Sequence, residues 1–189
     1  LAGIDTRRLT RILRNSGVMN GIIYTEGHEP DAAAIAAMKA YVVRDAVKTV
    51  TSAQESICKA DGETKYHIAL LDFGVKYNIE RELQSRGCEV TVLPGDTAPE
   101  AILSGGYDGI MLTNGPGDPA ENVQIVENLK VLLESNIPMF GICLGHQLMA
   151  LAIGAKTHKM RFGHRGAIHP DEDLDTDRTY ITSQNHGYA

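Results

Sequence analysis

Apolar positions in the first part of the chain recur at the spacing of short regular elements. Residues 5–17 place two leucines and one isoleucine on one helical face and end at Gly17, so they predict a helix. Residues 18–24 are apolar but interrupted by Asn-Gly, and they predict a strand. Residues 31–41 follow Pro30, are rich in alanine, and predict a second short helix.

Apolar strands and amphipathic helices alternate from residue 66 onward. Strands are predicted at 66–73, 88–93, 109–112 and 137–142, and helices at 78–86, 99–103, 121–134 and 144–153. Because these strands are almost continuously apolar, the alternation predicts an α/β fold with a mostly parallel sheet, flanked by helices on both faces. Residues 156–160 and 179–182 predict added strands.

The composition is that of a globular chain. Of its 189 residues, 43% are hydrophobic and 22% are charged, which excludes a disordered or fibrous protein. No apolar run reaches the roughly 18 to 20 residues that cross a bilayer, and the first residues lack a signal segment, so we expect a soluble protein that binds no membrane. The 18 basic and 24 acidic residues give a net charge of −6, which argues against a nucleic-acid partner.

Two groups of residues refine this view. Four arginines lie on the first predicted helix, at Arg7, Arg8, Arg11 and Arg14. They are typical of a solvated or partner-facing helix surface, with a binding patch as the alternative. The three cysteines at positions 58, 88 and 143 form no C-x-x-C pair, so they indicate neither a disulfide framework nor a metal site, and a reducing cytoplasm fits best.

The loops that follow the predicted strands carry the candidate chemistry, because ligands collect at the carboxyl ends of strands in an open α/β sheet. Residues 141–145 read Gly-Ile-Cys-Leu-Gly at a strand-to-helix junction, which is the spacing of a nucleophile elbow around Cys143. The glycines permit a sharp turn that exposes the sulfur, and the first N–H groups of the helix can receive an oxyanion. A buried packing thiol is the alternative reading of Cys143, and packing roles are expected for Cys58 and Cys88.

Two further loops contain polar or conformationally special residues. Residues 113–119 combine two glycines and two prolines, which can bring backbone N–H groups close to a ligand, although the same pattern also makes an ordinary turn. Residues 183–188 are predicted as a loop that groups amide, imidazole and phenol side chains, with a plain polar loop as the alternative.

A cysteine nucleophile normally uses a histidine base that a carboxylate orients. The candidates are His146, His158, His164, His169 and His186. His146 lies three residues after Cys143 on the same predicted helix, so we expect its side chain to point along that helix instead of over the sulfur. His169-Pro170-Asp171 imitates a base with its orienting carboxylate.

Three motifs together resemble the class I (triad) glutamine amidotransferases. They are Gly-Ile-Cys-Leu-Gly-His-Gln at 141–147, Asn-Gly-Pro-Gly-Asp-Pro at 114–119 and Gln-Asn-His-Gly-Tyr at 184–188. More narrowly, the chain is similar to the family of small, glutamine-hydrolysing subunits of carbamoyl-phosphate synthetases. That narrower similarity rests on motifs at 3–7, 9–11, 19–21, 72–78 and 162–166, and it runs over nearly the whole chain.

The resemblance implies a reaction and a set of site residues. Cys143 would attack the side-chain amide of L-glutamine, release ammonia and leave a glutamyl thioester that water then cleaves. The backbone N–H groups of Gly117 and Leu144 would receive the oxyanion. Contacts to glutamine are implied for Gly115, Gly117, Leu144, Gln147, Asn185, Gly187 and Tyr188. The ammonia would pass to a large carbamoyl-phosphate synthetase subunit that uses ATP and Mg, so neither a cofactor nor a metal is expected in this chain.

The resemblance also implies a domain division. Residues 1–44 would be the C-terminal part of a small N-terminal domain, residues 45–65 a linker, and residues 66–189 an amidotransferase domain that stops before the catalytic histidine and glutamate. We therefore expect this chain by itself to be nearly inactive. The His169-Pro170-Asp171 stretch precedes the 184–188 motif, so its order matches a non-catalytic segment, and Ile168 stands where the family usually has asparagine.

Three alternatives remain open. The chain could serve anthranilate or aminodeoxychorismate synthesis, although residues 1–24 argue against it because those glutaminases normally begin near the first strand. It could be a catalytically incomplete module that binds a partner. It could also be a cysteine hydrolase of peptides or esters, which the 184–188 motif makes less fitting.

Overall fold

The computed structural model describes residues 3–189, which divide into two compact units. One unit comprises Arg44–His158, and the other combines the segment up to Val43 with Lys159–Ala189. Within residues 3–189, none of the helices is long and apolar enough to span a bilayer.

The helices and strands follow one another along the chain much as the hydrophobic pattern predicts. The helices are α1 (Thr6–Ser16), α2 (Ala32–Ala40), α3 (Ala46–Val50), α4 (Tyr77–Gln84), α5 (Pro99–Ser104), α6 (Val123–Leu133) and α7 (Leu144–Ala152). The strands are β1 (Ser56–Cys58), β2 (Tyr66–Asp72), β3 (Cys88–Pro94), β4 (Gly109–Leu112), β5 (Met139–Gly141), β6 (Lys159–Asp173) and β7 (Arg178–Tyr188). A short 3-10 turn, Pro119–Glu121, precedes α6.

The unit Arg44–His158 contains a five-stranded sheet in the spatial order β1-β3-β2-β4-β5. Strands β2, β3, β4 and β5 are parallel, and β1 pairs antiparallel with β3 at one edge. The predicted α/β fold with a mostly parallel sheet is therefore confirmed.

Helices cover both faces of this sheet, because successive strand residues point to opposite sides. On one face, Ala69 and Leu71 of β2 pack with the buried side chains of α5, α6 and α7. On the other face, Leu70 packs with β3 and with Ile79 and Leu83 of α4. The central strands β2, β3 and β4 are largely buried on both sides, which explains their continuous apolar sequences.

The other unit contains α1, α2 and the β6–β7 hairpin. Both helices begin at an aspartate whose carboxylate accepts a backbone N–H: Asp5 from Arg8 at 2.9 Å and Asp31 from Ala34 at 2.7 Å. These two helices are where the sequence predicts them. After α1 the chain is joined to β6, because the Val18 N–H donates to the Arg161 carbonyl at 3.0 Å.

One local prediction for the first part of the chain is wrong, and another segment contains elements that the sequence pattern did not indicate. Residues 18–24 form no strand, and instead the Asn20 amide donates to the carbonyls of Met38 and Tyr41, at 3.0 and 2.7 Å. Residues 45–65 contain α3 and the edge strand β1, both of which are too short to show a hydrophobic period in the sequence.

The strands of the β6–β7 hairpin also differ in extent from the predicted elements. The strand expected at 179–182 is part of the longer β7, whereas the strand expected at 156–160 overlaps only the first two residues of β6. Strands β6 and β7 pair with each other in a separate two-stranded sheet. Residues 183–188, predicted as a loop, lie in β7. Their polar side chains gave no strand signal because the strand is held by backbone pairing with β6 instead of by an apolar face.

Candidate functional site

The candidate site lies where the strand order of the sheet reverses. From β2 the chain crosses to β3 on one side and then to β4 on the other, so a crevice opens at the carboxyl ends of β2 and β4. The loops after β2, β4 and β5 meet at this edge. They carry Asp72 to Lys76, Thr113 to Pro119, and Cys143.

Cys143 sits on a sharp turn between β5 and α7. Its backbone has φ 50° and ψ −109°, a conformation that costs a non-glycine residue free energy and is typical of functional sites. Cys143 is the N-cap residue of α7 and is exposed, so the sulfur is accessible at the positive end of the helix dipole. The predicted elbow geometry is confirmed.

Both glycines of the elbow are required by close backbone packing. A Cβ atom at Gly141 would lie 2.6 Å from the backbone nitrogen of His146. A Cβ at Gly145 would collide with the Leu112 carbonyl and lie 2.7 Å from the Leu112 side chain. The turn can therefore close against the end of β4 only with glycine at these two positions.

Two backbone hydrogen bonds fasten the elbow to β4 and its loop. The Ile142 N–H donates to the Leu112 carbonyl at 3.0 Å, and the Gly145 N–H donates to the Thr113 carbonyl at 3.1 Å. The Leu144 side chain is buried, and its Cδ2 would lie 2.6 Å from a Cβ added at Gly115. The elbow and the 113–119 loop are consequently packed as one piece.

Polar contacts with residues 73–76 hold the 113–119 loop in place. Buried Thr113 accepts the Phe73 N–H at 2.8 Å through its hydroxyl oxygen. The Asn114 side chain donates to the Gly74 carbonyl at 2.9 Å and accepts the Lys76 N–H at 3.1 Å. Gly117 has φ 90°, which favours glycine.

Two N–H groups of this region are available to a ligand. Among the residues that the structure describes, neither the Gly117 N–H nor the Leu144 N–H donates to a protein acceptor. Leu144 is the first residue of α7, where an N–H has no partner within the helix. Such N–H groups stabilise the negative oxygen of an acyl-transfer intermediate when they point at it.

The predicted substrate-binding residues fall in both units. Gly115, Gly117, Leu144 and Gln147 lie in the unit Arg44–His158, where the Gln147 N–H closes the first turn of α7 by donating to the Cys143 carbonyl at 3.0 Å. Asn185, Gly187 and Tyr188 lie on β7 in the other unit, with Asn185 exposed and opposite Arg165 on β6. Their contact with glutamine remains a prediction.

Within the unit Arg44–His158, no histidine forms a hydrogen bond with Cys143. His169 accepts the Arg165 N–H at 3.1 Å and stacks on His164, with ring centroids 4.7 Å apart. The Asp171 carboxylate accepts bonds from Thr182 at 2.8 Å and Gln184 at 2.9 Å instead of orienting His169. The Asp171 carboxylate is therefore paired with side chains of β7 and not with His169.

The other two cysteines have the surroundings of packing residues. Cys88 is buried beside Val90 and Val92, and burial raises the pKa of its thiol. Burial and then the charge of Glu80 raise the pKa of Cys58, whose Sγ lies 3.9 Å from the Glu80 carboxylate. In the part of the chain that the structure describes, no group of three or more potential metal ligands is placed to hold an ion.

One polar residue of this edge was not singled out by the sequence analysis. Asp72 ends β2 and is buried, and its carboxylate accepts four hydrogen bonds. Burial opposes its charge, but the bonds from Ser52, Val75 and Gly74 prevail and hold the pKa of Asp72 below its ordinary range. The signal available in the sequence was an acidic residue at the end of an otherwise apolar strand.

Comparisons with known proteins agree with this geometry. The sequence profile of the class I glutamine amidotransferase family matches residues 69–189. All of the chain aligns with the carbamoyl phosphate synthase small chains of Vibrio vulnificus, at 47% identity, and Symbiobacterium thermophilum, at 48% identity. The aligned regions cover 54% and 53% of those two proteins, so the chain spans about half the length of the curated relatives it matches.

Solved structures with lower identity share the fold. A glutamine amidotransferase from Thermotoga maritima has a TM-score of 0.50 and 17% identity, covering 66% of this chain and 61% of that one. A glutamine amidotransferase from Methylobacillus flagellatus has a TM-score of 0.52 and 17% identity, covering 67% and 57% of the two chains.

Proposed function

Because the chain belongs to the class I glutamine amidotransferase family, we propose that it is the glutamine-hydrolysing part of a carbamoyl-phosphate synthetase small subunit. The observation that carries the proposal is the exposed Cys143, presented by a strained turn at the start of α7. With it go the N–H groups of Gly117 and Leu144, which donate to no protein acceptor among the described residues.

The reaction begins when Cys143 Sγ attacks the side-chain amide carbon of L-glutamine. The carbonyl oxygen becomes an oxyanion, which accepts hydrogen bonds from the N–H groups of Gly117 and Leu144. The C–N bond then breaks, the nitrogen takes up a proton and leaves as ammonia, and a glutamyl thioester remains on Cys143. Water attacks the thioester, releasing glutamate and the free thiol.

The same residues bind the substrate in this proposal. Gly115, Gly117 and Leu144 contact the reacting amide through the packed loops, and Gln147 contacts glutamine from the first turn of α7. Asn185, Gly187 and Tyr188 are proposed to bind glutamine because they belong to the family motif at 184–188. No histidine within residues 3–189 is assigned as the base, so we expect turnover by this chain alone to be close to background.

The acceptor of the ammonia is a large synthetase subunit that makes carbamoyl phosphate with ATP, Mg and bicarbonate. Alignment of the whole chain with carbamoyl phosphate synthase small chains supports this partner, because it includes the residues that precede the amidotransferase profile. A chorismate-using partner has no comparable support. A cytoplasmic location fits the three free cysteines.

The test compares Cys143→Ala with Cys58→Ala in the full natural protein that carries this sequence. We expect Cys143→Ala to lower glutamate release from glutamine by at least about a thousand-fold, because it removes the nucleophile. Cys58→Ala should retain normal release. Together with the large subunit, Cys143→Ala should still support carbamoyl phosphate synthesis from free ammonia but not from glutamine.

Two outcomes would contradict the proposal. Unchanged glutamate release by Cys143→Ala would exclude the thioester route. Turnover of a simple ester without any turnover of glutamine would favour a general cysteine hydrolase instead.

A further inference from the structure

The Asp72 carboxylate lies beneath the loops of the candidate site, and the proposed reaction does not use it. Asp72 is only 5% exposed. One of its oxygens accepts the Ser52 N–H at 2.9 Å and the Ser52 hydroxyl at 2.5 Å. The other accepts the N–H groups of Gly74 and Val75, both at 2.8 Å. The carboxylate thus joins two segments that are about twenty residues apart in the chain.

The first segment, residues 73–76, supports the 113–119 loop directly. The Gly74 carbonyl accepts the Asn114 amide at 2.9 Å, and the Lys76 N–H donates to the Asn114 side-chain oxygen at 3.1 Å. A Cβ at Gly74 would lie 3.1 Å from the Pro116 ring, so the two loops are in close contact. Any shift of the turn that Asp72 holds would move Asn114 and Pro116.

The second segment, which ends in Thr51 and Ser52, places α3 against the same loop. Thr51 donates its hydroxyl to the Asp72 carbonyl at 2.6 Å and accepts the Gly95 N–H at 2.8 Å. At the other end of α3, a Cβ added to Gly117 would lie 2.8 Å from the Ala46 Cβ. Helix α3 therefore limits where Gly117 can sit.

From these contacts we infer that Asp72 is a positioning residue for the oxyanion. By fixing residues 73–76 and α3 at the same time, it holds Gly117 so that its N–H points at the developing negative charge. The inference rests on the proposed glutaminase function. Asp72 acts only through Gly117, so it is not a catalytic residue.

The chemistry of the carboxylate makes this inference testable with Asp72→Asn. The amide has a single acceptor oxygen and carries two hydrogens of its own, so it cannot accept the four bonds that the carboxylate accepts. Either the Ser52 link or the turn at Gly74 must open. Loss of one oxyanion donor costs about a hundred- to a thousand-fold in kcat, so we expect a displaced donor to cost roughly ten- to a hundred-fold.

The experiment uses the full natural protein and three measurements. The first is kcat and KM for glutamine hydrolysis. The second is the affinity for a glutamine-derived aldehyde. Cys143 adds to the aldehyde carbon and forms a tetrahedral adduct, whose oxygen is stabilised by the oxyanion donors. The third is the rate at which iodoacetamide alkylates Cys143, a displacement that forms no oxyanion.

For Asp72→Asn we expect kcat and aldehyde affinity to fall together by roughly ten- to a hundred-fold, with KM changed by less than about threefold. The iodoacetamide rate should stay within about twofold of the wild type, because the elbow itself is intact. Asp108→Asn is the matched control: its carboxylate also accepts a backbone N–H, from His67 at 2.7 Å, but before β4 instead of after β2. It should leave all three measurements unchanged.

If Asp72→Asn does not fold, Ser52→Ala provides a second test of the inference. It removes only the hydroxyl donor, so it should lower kcat and aldehyde affinity by a few-fold, without altering the iodoacetamide rate. If Asp72→Asn folds and keeps the wild-type kcat and aldehyde affinity, the inference is overturned. If Asp72→Asn does not fold, wild-type values in Ser52→Ala overturn it instead. In both cases the proposed function is unaffected. If the wild type neither hydrolyses glutamine nor binds the aldehyde, both proposals fail.

Discussion

The two units of this chain are stabilised by different forces. In the unit Arg44–His158, two clusters of fully buried aliphatic side chains enclose the sheet. In the other unit, large apolar side chains of the described residues are mostly exposed, among them Ile23, Ile168 and Leu174, which are 94%, 81% and 88% exposed. That unit depends on helix caps and on the backbone pairing of a long hairpin.

This difference explains why the strained turn at Cys143, the proposed nucleophile, lies in the sheet unit. A strained backbone persists only when its surroundings over-determine it, and the close-packed unit supplies such surroundings for Cys143. A two-stranded hairpin is only marginally stable by itself in water, so it constrains its backbone less than a close-packed sheet does. The residues expected to bind substrate from the hairpin, such as Asn185, are accordingly in extended backbone.

The largest expected difference between the two units is in the free energy of unfolding that is lost when one apolar side chain in each is truncated. Leu148 of α7 is fully buried, so Leu148→Ala removes packing and leaves a cavity, and we expect a loss of about 3 kcal/mol in the free energy of unfolding. Ile23→Ala should change it by less than about 0.5 kcal/mol. Urea unfolding followed by circular dichroism measures both values, and similar losses would show that the units do not differ as described.

Adding one methyl group at a glycine sharpens the comparison at the site. Gly145→Ala forces a Cβ into the Leu112 backbone, so we expect a loss of about 1 to 3 kcal/mol in the free energy of unfolding. A glutamine-shaped alkylating reagent should then no longer select Cys143 over Cys58. The matched change Gly21→Ala, in the other unit, adds a Cβ in open space and should alter neither quantity. Selective labelling of Cys143 in Gly145→Ala would contradict the packing argument.

The smallest contrast concerns acid stability. Asp72 and Asp173, one in each unit, both have a pKa below the ordinary 3.8. For Asp72 the hydrogen bonds to its carboxylate outweigh the effect of burial. For Asp173 the pKa is lowered by hydrogen bonds from Thr176 and Asp175. A lowered folded pKa means that the stabilisation is present above 3.8 and is lost as the pH falls through the folded value. Asp173 is partly exposed, so water competes with its bonds.

The measurement is the free energy of unfolding of the wild type and of Asp72→Asn and Asp173→Asn between pH 7 and pH 2. The difference between wild type and Asp72→Asn should shrink below pH 3.8, and that for Asp173→Asn should be smaller throughout. A wild-type advantage over Asp72→Asn that grows in acid would show that the sign is wrong. Glu80 acts in the opposite sense, because burial and then the charge of Asp72 raise its pKa.

Much of the sheet unit could be predicted because its signals are local. Continuous apolar strands, helical spacing and the glycines around Cys143 each act within a few residues, and the strands β2 to β5 lie where the pattern indicates. The errors involve distant partners. Residues 18–24 remain irregular because Asn20 binds carbonyls about twenty residues away, and residues 183–188 become a strand because β6 pairs with them.

The sequence by itself determined that Cys143 is presented on a sharp turn at the start of a helix, since the conformations of glycine and the dipole of the following helix are properties of neighbouring residues. Only the tertiary structure decided what holds the 113–119 loop in place. The contacts of Asp72 with Ser52, and of Asn114 with Gly74, join residues 20 and 40 positions apart. Such pairings depend on how the chain crosses the sheet, which no local pattern of hydrophobic and polar positions specifies.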